Sequence, residues 1–95
     1  MAGGDSKQDS MELEAIRARI NAIDEQLQHL INERAKIAQQ VGIAKGELAS
    51  AVDYYRPERE AEVLRRVLER NEGPMRDEEM LRLFREIMSA CLAQQ

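Results

Sequence analysis

The feature that most constrains the fold is a long apolar stripe along the first half of the chain. From Leu13 onward, aliphatic residues recur at alternating intervals of three and four residues, and no proline interrupts them. This spacing is the heptad seam of helices that pack along one another. Arg34 occupies the one position of the stripe that lacks an apolar residue. The apolar members are Leu13, Ile16, Ile20, Ile23, Leu27, Leu30, Ile37, Val41 and Ala44.

The stripe predicts a first helix from about Met11 to about Leu48, with Asp9 or Ser10 as the capping residue. At 1.5 Å per residue this helix would be about 55 Å long. The rest of a 95-residue chain is too short to cover it, so we expect a second chain alongside. Residues 1–10 are predicted to be a disordered leader or an expression scar, and residues 11–95 to form the domain.

The second half of the chain predicts two shorter helices. Ala49–Tyr55 is expected to be a connector, and Pro57 suits the first turn of a helix that continues to about Arg70. The segment N-E-G-P at 71–74 predicts a stop. Asp77 can cap a third helix that runs to the C-terminus. The expected fold class is therefore all-α, with one long and two shorter helices.

Composition argues against several classes of function. A net charge of −4 disfavours nucleic acid or an acidic membrane as a partner, although a small anionic ligand sees only local charge. One cysteine, Cys91, and one histidine, His29, provide neither an intrachain disulfide nor a cysteine-based metal site. The sequence has no long apolar run and no signal-peptide core. We expect a cytoplasmic protein without a cysteine-based metal site.

Cations that interrupt or share the stripe are the first candidates for function. Arg34 can set the register of a helix pair and extend its head into water, or it can bind an anion in a polar pocket. Lys45 follows by nearly three helical turns, so the two cations share a face about 16 Å apart. Arg17 precedes Arg34 by about 25 Å along the helix. It can reach the same small ligand only if an antiparallel second chain supplies it.

Four further residues are candidates because of their positions. Arg59 and Glu60 fall in the first turn of the second helix, where such a pair is usually a surface feature. Cys91 lies on the apolar face of the third helix, where a cysteine is usually a small hydrophobe. Gln95 continues that face, although a terminal glutamine is usually solvated.

Four segments occur in a characteristic order, namely I-R-A-R-I-N-A-I-D-E-Q-L, L-I-N-E-R-A-K-I-A-Q-Q-V-G-I-A-K, Y-Y-R-P-E-R-E-A-E-V-L and L-F-R-E-I-M-S-A-C-L-A-Q-Q. Taken together, they resemble the all-helical chorismate mutases, in particular the mutase domain of bifunctional chorismate mutase/prephenate dehydratases. The resemblance covers about Leu13 to Gln95. It implies an intertwined homodimeric bundle that converts chorismate to prephenate in phenylalanine and tyrosine biosynthesis. It also implies that dehydratase and regulatory domains follow in the natural chain.

The resemblance implies roles for four of the candidates in a reaction that moves no proton and uses no metal or cofactor. Arg34 would be the main carboxylate binder of its own chain, and Arg17 would enter the site from the other chain. Lys45 would lie at the ether oxygen and the hydroxyl of the substrate. Gln95 would donate to the ether oxygen from the opposite side. Such a site would hold the substrate in its reactive shape and stabilise the negative charge that develops on the ether oxygen.

The resemblance assigns the remaining candidates to the edge of the site. Glu60 would accept the substrate hydroxyl, and Arg59 would add to the cationic lining. Cys91 falls where relatives have a serine near a substrate carboxylate. Arg56 falls where some relatives carry an acidic residue, so its backbone N–H is the group expected to serve. Two alternatives stay open, namely an isochorismate-pyruvate lyase on the same scaffold and a non-catalytic helical dimerisation module.

Overall fold

Three helices make up the part of the chain that the structure describes. The structure is a computed structural model, which describes the backbone of residues 2–45 and 57–93 and the side-chain surroundings of residues 7–41 and 57–93. Helix α1 spans Ala2–Lys45, α2 spans Pro57–Arg70 and α3 spans Asp77–Ala93. No strand occurs within these ranges, which confirms the prediction of an all-α fold with one long and two shorter helices. None of the helices in them is long and apolar enough to cross a membrane.

Helix α1 begins earlier than the sequence pattern predicts. Its first residue is Ala2 rather than Met11. Once a long helix has nucleated, each added residue costs little, and no proline stops propagation into the leader. The division between a leader and a domain at residue 10 stays a prediction. The predicted end of α1 near Leu48 and the connector Ala49–Tyr55 lie outside the described residues.

The chain divides into two compact units, which we describe separately. Unit 1 comprises Met1–Asn32 and contains most of α1. Every described side chain of this unit is exposed. The six aliphatic residues of the stripe in this unit each leave between 46% and 57% of their surface open to solvent. They are Leu13, Ile16, Ile20, Ile23, Leu27 and Leu30.

Unit 2 comprises Glu33–Gln95 and is organised around α2 and α3, which pack against each other. The buried residues among those described are Ala38, Val67 and Cys91, one from each helix. Most of the predicted apolar face of α3 lies half-buried around Cys91, whereas Leu83, which is also predicted to belong to this face, is 47% exposed. Its half-buried members are Met80, Leu81, Phe84, Ile87, Met88 and Leu92.

The turn between α2 and α3 is held by Asn71. Its Nδ2 donates to the Met75 carbonyl oxygen at 2.9 Å and to Oδ1 of Asp77 at 2.7 Å, so one side chain joins the end of α2 to the start of α3. Gly73 has a φ of 79°, in the left-handed region that L side chains rarely adopt. Nothing lies within 4 Å of the position that its Cβ would take, so the backbone angle rather than crowding requires glycine.

Candidate active site

Arg34 lies on the covered side of α1 in unit 2. It is half-buried, and so is the neighbouring Ala35. One turn further on, Ala38 is buried, whereas Ile37 is 59% exposed. The arginine of the stripe is therefore more enclosed than the aliphatic residue that follows it in the heptad pattern.

The Arg34 guanidinium has no carboxylate to neutralise it within the described ranges, where no ion pair joins it to another residue. An arginine can pack its aliphatic stem against apolar neighbours while its guanidinium stays accessible. With no ion pair inside the described ranges, the guanidinium of the half-buried Arg34 is suited to an anionic ligand.

Arg17 lies in unit 1 and is exposed, like the other described side chains of that unit. The described residues include no ion-pair partner for it. Its guanidinium is therefore available to a ligand or to another chain. Whether Arg17 enters a site of a second copy stays a prediction.

The first turn of α2 carries the predicted pair of Arg59 and Glu60. Glu60 is half-buried, while the Arg59 side chain is 61% exposed and forms an ion pair with Glu62 at 3.4 Å. Acidic residues in the first turn interact favourably with the positive end of the helix dipole. Glu60 therefore has a structural role in addition to the catalytic role that the resemblance implies.

Cys91 is 3% exposed and contributes to the small core of unit 2. This is the environment of a small hydrophobe, and contact with a substrate carboxylate stays a prediction. Lys45 is the last residue of α1, but its side chain lies outside the described set. Arg56 and Gln95 also lie outside the described residues. The structure therefore describes the surroundings of five of the eight candidates, Arg17, Arg34, Arg59, Glu60 and Cys91.

The ion pairs that Glu62 forms with Arg59 and Arg66 are not among the features predicted from the sequence. Glu62 accepts from Nη2 of Arg66 at 2.7 Å as well as pairing with Arg59. Their spacing of three and four residues on one helix is the signal that would have predicted these ion pairs.

A shallow depression in unit 1, lined by Glu25, Gln26, His29 and Leu30, contains none of the candidate residues.

The family model for chorismate mutase type II matches residues 16–95 of the chain. The chain belongs to the type II chorismate mutase family. The match begins within α1 and includes α2 and α3, so it covers all eight candidate residues. This match confirms the family resemblance that the four sequence segments indicate.

Relatives of this type II chorismate mutase chain are named for two activities, chorismate mutase and prephenate dehydratase. The chain is 52% identical over 85 residues to the bifunctional chorismate mutase/prephenate dehydratase of Stutzerimonas stutzeri, covering 86% of this chain and 23% of the relative. It is 50% identical over 88 residues to that of Pseudomonas aeruginosa, covering 90% and 24%. It is 37% identical over 86 residues to that of Aquifex aeolicus, covering 86% and 23%. The chain thus spans about a quarter of the length of these relatives.

Proposed function

We propose that the chain catalyses the rearrangement of chorismate to prephenate. The observation that carries this proposal is the half-buried Arg34, which has no carboxylate partner in the described ranges. Chorismate bears two carboxylates, and a guanidinium binds a carboxylate through two parallel hydrogen bonds. Membership of the type II chorismate mutase family supports the same substrate.

The reaction breaks one C–O bond and forms one C–C bond within the same molecule. No proton transfer, covalent intermediate or cofactor is required, so the residues have two tasks. Arg34 and Arg17 of a second copy would clamp the two carboxylates and hold the substrate in its compact reactive shape. Lys45 and Gln95 would stabilise the charge that grows on the ether oxygen.

The residues at the edge of the proposed site would orient the substrate. Glu60 would accept a hydrogen bond from the substrate hydroxyl, and Arg59 would add positive charge to the lining. The backbone N–H of Arg56 would add a donor at the edge of the site, and the thiol of Cys91 would lie near a substrate carboxylate. Charge-assisted hydrogen bonds contribute roughly 1.5–3 kcal/mol each. Several that strengthen in the transition state would together approach the ~8 kcal/mol of a modest enzymatic acceleration.

The active form that we propose is a homodimer whose α1 helices pack along each other. Six aliphatic residues of unit 1 are about half exposed, which is the surface that a second copy would cover. A stripe that repeats every 3.5 residues drifts by about 20° per heptad on a straight helix. Two helices that keep such stripes in contact wind around each other, which supports an intertwined arrangement.

The proposed setting is the cytoplasm, which suits a chain with a single cysteine. The relatives named above join the mutase to a prephenate dehydratase in one chain. We therefore propose that this chain acts next to a dehydratase, either as part of a longer natural protein or in the same pathway. Prephenate released by the mutase would then be the substrate of the dehydratase.

The deciding experiment incubates the purified chain with chorismate and identifies the product by chromatography. We expect loss of chorismate and formation of prephenate. A parallel incubation with isochorismate tests the lyase alternative, because release of pyruvate there without prephenate formation from chorismate would favour that reaction. A folded chain that converts neither substrate, and whose stability is kept or raised by Arg34→Leu, would indicate the dimerisation module.

A further inference from the structure

We propose that Glu62 is a positioning residue that holds the Arg59 guanidinium ready for an anionic substrate, an inference that rests on the proposed function. Glu62 lies one turn after Arg59 on α2, and its Oε2 is 3.4 Å from Nη1 of Arg59. Its other oxygen, Oε1, is 2.7 Å from Nη2 of Arg66, one turn further on. The carboxylate thus bridges two arginines, with one oxygen for each.

The two contacts of Glu62 are unequal, and the inequality is the basis of the proposal. The contact with Arg66 has the length of a strong charge-assisted hydrogen bond. The contact with Arg59 is longer and engages one nitrogen of the guanidinium. Arg66 therefore anchors the carboxylate, while the carboxylate limits where Arg59 can point. Among the described residues the other donors of Arg59 have no partner, so they can bind an anion.

Arg59 needs such a restraint because its side chain is 61% exposed. A free arginine side chain samples many rotamers, and ordering it on binding costs conformational entropy. A guanidinium that is already held loses less entropy when the substrate arrives. Two arginines and one glutamate still carry a net positive charge, so the group continues to attract a dianion.

A simpler interpretation treats Glu62 as an ordinary surface ion-pair partner or as a competitor of the substrate. Exposed ion pairs often contribute little to stability. If Glu62 competed for Arg59, removing its charge would tighten substrate binding. If Glu62 orders Arg59, removing its charge would weaken substrate binding. The direction of the change in KM therefore separates the two interpretations.

The test compares Glu62→Gln with the matched control Glu69→Gln in the full chain. Glu69 is on the same helix and pairs with Arg65 at 3.8 Å, with both side chains largely exposed. The control removes the same charge without touching Arg59. We expect Glu62→Gln to raise the KM for chorismate by about two- to five-fold with kcat nearly unchanged. The control should leave both parameters at the values of the unchanged chain.

A double variant tests whether Glu62 acts through Arg59. In an Arg59→Ala background, Glu62→Gln should have no further effect on KM, because the group that it positions is gone. Ordering is also measurable without catalysis. The side-chain Nε–Hε signal of Arg59 in an NMR spectrum should show a lower order parameter in Glu62→Gln than in the unchanged chain.

The results separate this inference from the proposed function. If the unchanged chain converts chorismate but Glu62→Gln leaves KM unchanged or lowers it, the positioning role is wrong and the mutase proposal stands. If the unchanged chain does not convert chorismate, the mutase proposal fails, and chorismate is then no longer the anion that Arg59 would bind. An Arg59 order parameter that is equal in both chains overturns the positioning role in either case.

Discussion

Truncation of Ile23 to alanine tests the proposed dimer where the structure leaves the stripe of α1 uncovered. Ile23 is 55% exposed in the single chain, so about half of the side chain remains for a second copy to cover. Full burial of an isoleucine contributes ~1.5–3 kcal/mol, so the remaining half contributes about 0.8–1.5 kcal/mol per chain. Both chains of a dimer lose this contribution. The total of about 1.5–3 kcal/mol raises the dissociation constant of the dimer about 10- to 150-fold.

Sedimentation equilibrium over a range of protein concentrations measures this constant. The matched control is Asn21→Ala, which lies on the polar side of α1 and is exposed in the single chain. We expect the control to dissociate at the same concentration as the unchanged chain. An unchanged chain that is monomeric at every concentration would refute the reasoning. An Ile23→Ala dimer as tight as the original would refute it equally.

Three further predictions concern the proposed site. Arg34→Ala should lower kcat/KM at least ~100-fold with the dimer intact, because two charge-assisted hydrogen bonds contribute about 3–6 kcal/mol; a loss below about tenfold would contradict its role. Arg17→Ala and Arg34→Ala chains, each inactive alone, should regain partial activity when mixed, and no recovery after verified subunit exchange would exclude a shared site. Gln95 donates at any pH, so kcat should persist through neutral pH, and a collapse between about pH 5 and 7 with binding intact would contradict that role.

Helix boundaries in the second half of the chain were predictable because local chemistry sets them. Pro57 favours the first turn of a helix, and the structure begins α2 there. Asp77 is predicted as the cap of α3, but it is the first helical residue, and the carbonyl oxygen of Arg76 before it accepts the first hydrogen bond of the helix from the Met80 N–H. The start of α1 was not predictable in this way, because a polar leader without proline neither requires nor prevents extension of a helix.

The candidate site was only partly predictable from the chain itself. Arg34 could be found because it breaks an apolar pattern, and breaks of that kind are visible in a single sequence. Its half-burial required the structure, since the same pattern fits a solvated register residue. Glu60 carries no comparable signal, because charged residues are common at helix ends, and the position of Gln95 in the apolar pattern is a weak signal, because a terminal glutamine is usually solvated. Their roles came from the resemblance to a family and stay predictions.

The two side-chain hydrogen bonds of Asn71 have a consequence for which part of the protein folds first. It closes a connection of six residues between α2 and α3, so this hairpin depends on contacts that are close in the sequence. Structures with local contacts form rapidly, whereas covering the stripe of α1 would require an encounter between molecules. We expect newly made chains to fold this helical hairpin at any protein concentration. They should reach their highest melting temperature only at concentrations above the dissociation constant of the dimer. Melting temperature would then rise with the amount of protein in the sample.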